Sequence, residues 1–303
     1  MAENNLYNSL KFNNLYPDFL VKIVNSQLKK YISSYVEIPS VLKKAMSYSI
    51  NNGGKRFRPI LCLVTANSLG VGYDAVLPTA CAIEFIHTYS LIHDDLPAID
   101  NDDYRRGKLS CHKVFGENIA ILTGDALFAE AYNIILTYQK AKSEILLRIL
   151  QEISLASGVS GMVSGQVVDV YYAGKKITKK LLERMHNNKT AKLICASVRC
   201  GAIIAGASDA QLELFTQYAL NIGLAFQITD DLLDIESNSK LLGKTLGKDI
   251  IQNKNTFPSV FGFEKSKEIA RKKINDAINI IEKMDIEKKW LINIANFILC
   301  RKN

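Results

Sequence analysis

Two acidic runs stand out along the chain, Asp94-Asp95-Leu96-Pro97-Ala98-Ile99-Asp100 and Asp230-Asp231-Leu232-Leu233-Asp234, each set beside apolar stretches that read as helix. Adjacent ionised carboxylates repel, and an apolar surround raises the cost of desolvating them. Cations between them relieve both problems. A hard ion such as Mg2+ takes oxygen ligands and is commonly completed by substrate phosphates. The pattern therefore points to a metal-bridged diphosphate held between two helices.

The second run is the more regular. At ~100° per residue, Asp230 and Asp234 share a helix face, with Asp231 beside them and Gln227 one turn earlier. In the first run, Pro97 removes a helix hydrogen bond and should end or kink the helix just after Asp95. Asp100 then comes from a distorted turn, followed by Asp102, Asp103 and the pair Arg105-Arg106. Arginine forks match phosphate oxygens, so acids for metal followed by arginines for diphosphate form a coherent set. Solvated charges at a helix end or in a loop are the bland reading of either run.

A third group is Gly53-Gly54-Lys55-Arg56-Phe57-Arg58-Pro59. The glycines permit close backbone approach, Pro59 suits a first helical position, and a helix start with three cations is an anion site. His87 precedes Asp94 by two turns and belongs on its face. Lys189-Thr190 lies in a helical stretch, and Gly243-Lys244-Thr245-Leu246-Gly247-Lys248-Asp249 leads to Lys254. Singly, each lysine could be an ordinary surface residue. Together they suit two diphosphates, one bridged by metal and one bound directly.

The elements that must hold these residues read as helices nearly throughout. Apolar residues recur at i, i+3, i+4 in Asp18–Tyr35, Val41–Ile50, Glu144–Leu155, Leu181–Ile194 and Glu268–Met284. Leu193–Ala207 and Leu212–Ile235 are apolar on most faces, as buried or interface helices are. Pro17, Pro39 and Pro59 sit near expected helix starts. The reading is an all-α bundle of ten or more helices in one domain over 17–303, preceded by a flexible segment 1–16.

Composition excludes little but directs partners. The 303 residues are 48% hydrophobic and 22% charged, with net charge +8. The positive charge is scattered, and no recognised nucleic-acid motif accompanies it, so an anionic small molecule is the expected partner and nucleic acid is not. Six cysteines form neither CxxC pairs nor a zinc-like cluster, which suits reduced thiols. Neither a leader pattern nor an uncharged run of ~18 apolar residues is evident, so a cytoplasmic protein without a membrane span is expected.

Taken in order, GGKRFRP, HTYSLIHDDLPAIDNDDYRRG, GQVVD, Lys189-Thr190, FQITDDLLD and GKTLGKD resemble the all-trans short-chain polyprenyl diphosphate synthases, most closely the bacterial farnesyl diphosphate synthases. The likeness runs from about Pro39 to the carboxyl end. It implies a large helical bundle around a central cavity, of the isoprenoid synthase type, working as a homodimer. It implies two or three Mg2+ ions per site, held by Asp94 and Asp100 with Asp95 nearby, and by Asp230 with Asp231 and Asp234 in support. Lys55, Arg58, His87 and Arg106 would bind isopentenyl diphosphate. Arg105, Lys189, Lys244 and Lys254 would bind the allylic diphosphate, Thr190 and Gln227 would face the developing cation, and Asp169 would support the metal through water.

The implied reaction is a head-to-tail condensation of isopentenyl diphosphate with dimethylallyl and then geranyl diphosphate. One helical turn is ~5.4 Å, close to an isoprene unit, so a bulky residue a turn before Asp94 can stop growth. Tyr89 and Ser90 occupy that region, and with the Pro97-Ala98 spacing they favour a farnesyl product over geranyl or geranylgeranyl. Tyr89 could instead simply pack between helices. Departures are small: Glu236–Leu242 lacks a Gly-Asp common after the second motif, and Arg301-Lys302-Asn303 is a partial form of a basic closing tail. The rival readings are an HD-type metal phosphohydrolase suggested by His93-Asp94, a non-catalytic partner subunit, and a head-to-head synthase or terpene cyclase. Only four histidines disfavour the first, intact acids and cations the second, and the Lys55, Arg58 and His87 set the third.

Overall fold

In a computed structural model, residues 15–242 and 255–301 are described, and they are helical as expected. The one ladder among them pairs Tyr104 with Leu109 and Arg105 with Lys108. Contacts divide the chain into two compact bodies, one of residues 17–151 with 203–205, the other of the remainder.

The first body begins with α1 (Asp18–Ser34), whose start is favoured by Asp18 in the first turn. Its core face is Leu20, Val24, Leu28, Tyr31 and Ile32, the periodicity that the sequence displays. Next come α2 (Ser40–Ile50), α3 (Phe57–Ser68) and α4 (Leu77–Asp94). Helix α3 is buried at eleven of its twelve positions, which makes it a central helix. It starts two residues earlier than Pro59 suggests, so Pro59 is the third helical residue. That placement is cheap, because first-turn N–H groups have no intrahelical acceptor. Helix α4 packs along α6 (Glu117–Tyr138), with α5 (Cys111–Phe115) leading in. By length and composition α6 could cross a membrane, but Asp125 and Glu130 interrupt it. Glu130 accepts a 2.9 Å hydrogen bond from Tyr35 Oη.

Helix α7 (Ser143–Ser157) carries the chain into the second body, which holds α8 (Met162–Tyr171), α9 (Lys179–His186), α10 (Lys192–Ile204) and α11 (Asp209–Leu242). The expected helix Leu181–Ile194 is interrupted: residues Asn187–Ala191 form a π-helical turn between α9 and α10. Gly165 of α8 and Gly223 of α11 meet that turn where a Cβ would collide with Lys189 and Ala191. The wider turn therefore depends on two glycines remote in sequence. After α12 (Phe257–Phe261), α13 (Phe263–Glu282) lies along α11 through Ser266, Ala270, Ile274, Ala277 and Ile281. Helix α14 (Lys289–Cys300) follows. All six cysteines are free, and all but Cys300 are buried.

Candidate active site

In the first body, α4 ends at Asp94 with Asp95 as its cap, just before the turn that Pro97 enforces. The turn folds back, with Asp100 N–H donating to Asp94 O at 2.9 Å and Asp102 N–H to Asp95 O at 3.2 Å. Asp94 and Asp100 stay half-buried, whereas Asp95 is only 3% exposed. Arg105 Nε donates to Asp95 Oδ1 at 2.9 Å, and its Nη2 reaches Asp95 Oδ1 and, at 3.1 Å, Asp102 Oδ2. Burial pushes the Asp95 carboxyl up, and Arg105 opposes that shift. Arg105, expected on an allylic diphosphate, is thus clamped by two carboxylates.

The glycine-rich segment changes one expectation. Arg56 adopts a left-handed conformation and turns inward, where Nη1 meets Glu84 Oε1 at 2.7 Å with both side chains 2% exposed. Its Nε donates to Asn25 Oδ1 and its Nη2 to the Ile50 carbonyl. A cation so engaged is part of the core, so the helix start offers Lys55 and Arg58, rather than three cations, to an anion. Arg106 comes to the same loop: its Nη1 donates to Gly53 O. The guanidinium lies where a Cβ on Gly54 would stand, 2.5–2.9 Å away. Gly54 also has φ +114°, so its backbone conformation favours glycine.

His87 belongs with these arginines. Burial, and then Arg58, Arg106, Arg56 and Arg105, hold its pKa well below the ordinary value, so the ring is neutral. A shallow open cleft here is lined by Asn52, Thr88, Asp95, Arg105 and Arg106 among others. One turn before the acids, Tyr89 is 8% exposed and sits edge-on to Phe128, centroids 5.0 Å apart, and to His93 at 5.7 Å. Burial pushes its phenol up to about 12. Ser90 Oγ is turned to the His87 carbonyl at 2.9 Å.

In the second body, Asp230 is half-buried, Asp234 exposed and Asp231 buried. Asp231 Oδ1 accepts from Gln227 Nε2 at 2.8 Å and Oδ2 from Phe257 N–H at 2.9 Å. The second donor exists because a capping box, Thr256 with Ser259, starts α12 there. His186 Nε2 stands 3.6 Å from Asp231 Oδ2. Burial raises the Asp231 carboxyl to about 7 and lowers His186 to about 4. Near neutrality the histidine is therefore uncharged, while the Asp231 carboxyl is close to its own titration point. Gln227 Oε1 in turn accepts from Thr190 Oγ1 at 2.6 Å, and Lys189 Nζ meets Asp169 Oδ2 at 2.7 Å.

The expected residues Lys189, Thr190, Gln227 and Asp231, together with Asp169, thus form one connected wall. Lys244 and Lys254, and residues 1–14 of the expected flexible segment, lie outside the described residues. His186 and Arg301 are the neighbours that sequence reasoning did not place. Arg301 Nη2 meets Asp230 Oδ1 at 2.7 Å. Its only sequence signal was its membership of a basic carboxyl end. Among the described residues no three His, Cys, Asp or Glu side chains converge into a ready ion cage.

These two constellations carry the signature of a prenyl synthase, and comparison with known proteins agrees. The polyprenyl synthetase family profile matches residues 39–295. The chain is 43% identical to the farnesyl diphosphate synthase of Geobacillus stearothermophilus, covering 92% of this chain and 94% of that one. It is 45% identical to the geranylgeranyl diphosphate synthase of Cyanophora paradoxa, over 88% and 89% of the respective chains. Among solved structures, an FPP/GFPP synthase from Zymomonas mobilis superposes with TM-score 0.82 at 33% identity, covering 95% of this chain and 99% of that one. A geranyltransferase from Helicobacter pylori, complexed with magnesium and isoprenyl diphosphate, gives 0.80 at 31%, over 96% and 95%.

The protein belongs to the polyprenyl synthetase family. It is a prenyltransferase of the head-to-tail class, and the phosphohydrolase reading falls away.

Proposed function

We propose that the chain condenses isopentenyl diphosphate with dimethylallyl and then geranyl diphosphate, releasing farnesyl diphosphate as its main product. The observation that carries the product length is Tyr89, a buried ring one turn before Asp94, boxed in by Phe128 and His93. A buried, packed aromatic there would stand in the way of a fourth isoprene unit. Relatives include both farnesyl and geranylgeranyl synthases, and Tyr89 is the feature that supports the farnesyl reading.

Mg2+ fits the acids as they stand. Asp94, Asp100, Asp230 and Asp234 are at least partly accessible carboxylates, the oxygen ligands that Mg2+ takes together with substrate phosphates. In the first body Asp94 and Asp100 would bind Mg2+, and in the second Asp230 and Asp234 would do so, with Asp95 and Asp231 acting from behind. When bound, Mg2+ would supply charge neutralisation on the leaving diphosphate. Lys55, Arg58 and Arg106 bind isopentenyl diphosphate as fixed charges. Neutral His87 contributes a hydrogen bond at no cost in repulsion with its arginine neighbours. Lys189, Lys244, Lys254 and Arg105 take the allylic diphosphate, with Arg105 yielding part of its grip on Asp102.

As the allylic C–O bond breaks, the diphosphate leaves with the bonding pair and the double bond of isopentenyl diphosphate attacks the cation. Loss of a proton to the released diphosphate restores an alkene. Gln227 has its amide fixed by Thr190 on one side and Asp231 on the other, so its carbonyl and the Thr190 oxygen form a preorganised dipole facing positive charge.

We further read residues 17–303 as one functional domain in a cytoplasmic homodimer. Exposed Ile121, Leu122 and Leu136 on α6 support the self-association. Incubation with Mg2+, dimethylallyl diphosphate and isopentenyl diphosphate, followed by product sizing, tests the reading. A C15 product is expected, with Tyr89→Ala shifting it to C20 or longer. A C20 product from the unaltered protein would overturn the farnesyl assignment.

A further inference from the structure

The carboxyl-terminal arginine does not behave as a loose basic tail. Helix α14 ends at Cys300, and the next residue turns its side chain back onto α11. There Arg301 is 7% exposed and stacks on the Phe226 ring, 3.8 Å from guanidinium carbon to ring centroid. Its Nη2 donates to the Phe226 carbonyl at 2.7 Å and to Asp230 Oδ1 at 2.7 Å. Phe226 and Asp230 are four residues apart, so one nitrogen bridges consecutive turns of the same helix. The guanidinium is buried while the carboxylate it holds keeps 39% of its side-chain surface open.

That arrangement is a holder and a held group. A planar fork stacked on a ring has few orientations, and a carboxylate bonded to it has fewer rotamers than one in water.

We propose that Arg301 is a positioning residue for the second acidic motif, fixing the Asp230 carboxylate in the orientation that receives the divalent cation. The inference rests on the reading of Asp230 as a metal-binding residue. It moves Arg301 from the role of closing tail to that of an outer partner of the metal site. Outer partners of this kind typically carry 10–100-fold in metal affinity.

The test is calorimetric titration of Mg2+ into the full-length protein with inorganic diphosphate present, the heat of Mg2+ into diphosphate being subtracted. Arg301→Gln should weaken Mg2+ binding 10–100-fold, and Arg301→Lys, which keeps the charge without the bridge, should fall between. Should Arg301→Gln not fold, a several-fold weakening in Arg301→Lys carries the same prediction. Unchanged or tighter Mg2+ binding in the folded variants overturns the proposal. A lowered melting temperature with unchanged Mg2+ affinity would make Arg301 a fastener of α14 and would overturn it equally. Asp230→Asn separates the two readings. If it leaves Mg2+ binding intact, the metal assignment of Asp230 fails, and if it abolishes binding while Arg301→Gln does not, only the Arg301 inference fails.

Discussion

Both acidic motifs bury one carboxylate of an adjacent pair, and they neutralise it in different ways. At the first, Asp95 is answered by a permanent charge, Arg105, ten residues on. At the second, Asp231 is answered by neutral donors, an amide and a backbone N–H, beside an uncharged histidine, and its pKa rises to about 7. The difference follows from the backbone. A broken helix delivers a loop whose arginine can curl back, whereas an unbroken α11 leaves Asp231 facing other helices, where only short-range donors reach. In both, the second acid is buried while its neighbour, Asp94 or Asp230, stays half-buried. On the proposed reading, each pair of aspartates divides into a working acid, Asp94 or Asp230, and a supporting one.

The sharpest way to break this division is to remove the working acids. Asp94→Ala or Asp230→Ala should keep the helical circular dichroism spectrum and lower turnover roughly 100-fold or more, since the developing charge on the leaving group loses its stabilisation. Wild-type rates in either variant would end the assignment. Next in size is the charge at Asp95. Arg105→Gln leaves a buried carboxylate without its partner and should cost about 2–3 kcal/mol in urea unfolding, below the figure for a fully buried pair because Arg105 is 31% exposed. Asp231→Asn at pH 7 should cost only about 1 kcal/mol, the value of one hydrogen bond, because that site is already close to neutral. Equal losses would erase the contrast between the motifs.

The finest distinction lies in pH dependence. Asp231 rises from 3.8 to about 7 on folding, so it contributes stability at low pH that is lost as pH climbs through about 7. His186 falls from 6.5 to about 4, so its contribution is complete above 6.5 and is lost as pH drops toward 4. Between those limits the two oppose each other, and the unaltered protein should show little slope from this pair. Asp231→Asn should unmask a loss of stability on acidification, His186→Gln a gain, each with a slope up to about 1.4 kcal/mol per pH unit. Urea midpoints measured from pH 4.5 to 6.5 report both signs. Slopes of the same sign would refute the opposed titration of Asp231 and His186.

Much of the fold and part of the site were readable along the chain. Helix α1 and helix α2 stand within a residue of their apolar periodicity, and the α4 end falls where Pro97 requires. Thr190 and Gln227 were singled out by motif and do meet, while Lys189 meets Asp169. Other features were not visible. The π turn Asn187–Ala191 has ordinary helical residues, and only Gly165 and Gly223, packed against it from elsewhere, make room for it. Arg56 looked like one of three anion-binding cations, yet Glu84 takes it into the core.

The amino-acid order settles local matters, because helix periodicity, proline breaks and adjacent acids act within a few residues of themselves. It fixed the helical class, the two acidic motifs and the cations that accompany them. Which acid of each pair is buried, and which arginine holds which carboxylate, were decided only on folding. Those choices depend on burial and on partners such as Arg301 and Asp230, 71 positions apart, whose meeting no local pattern encodes.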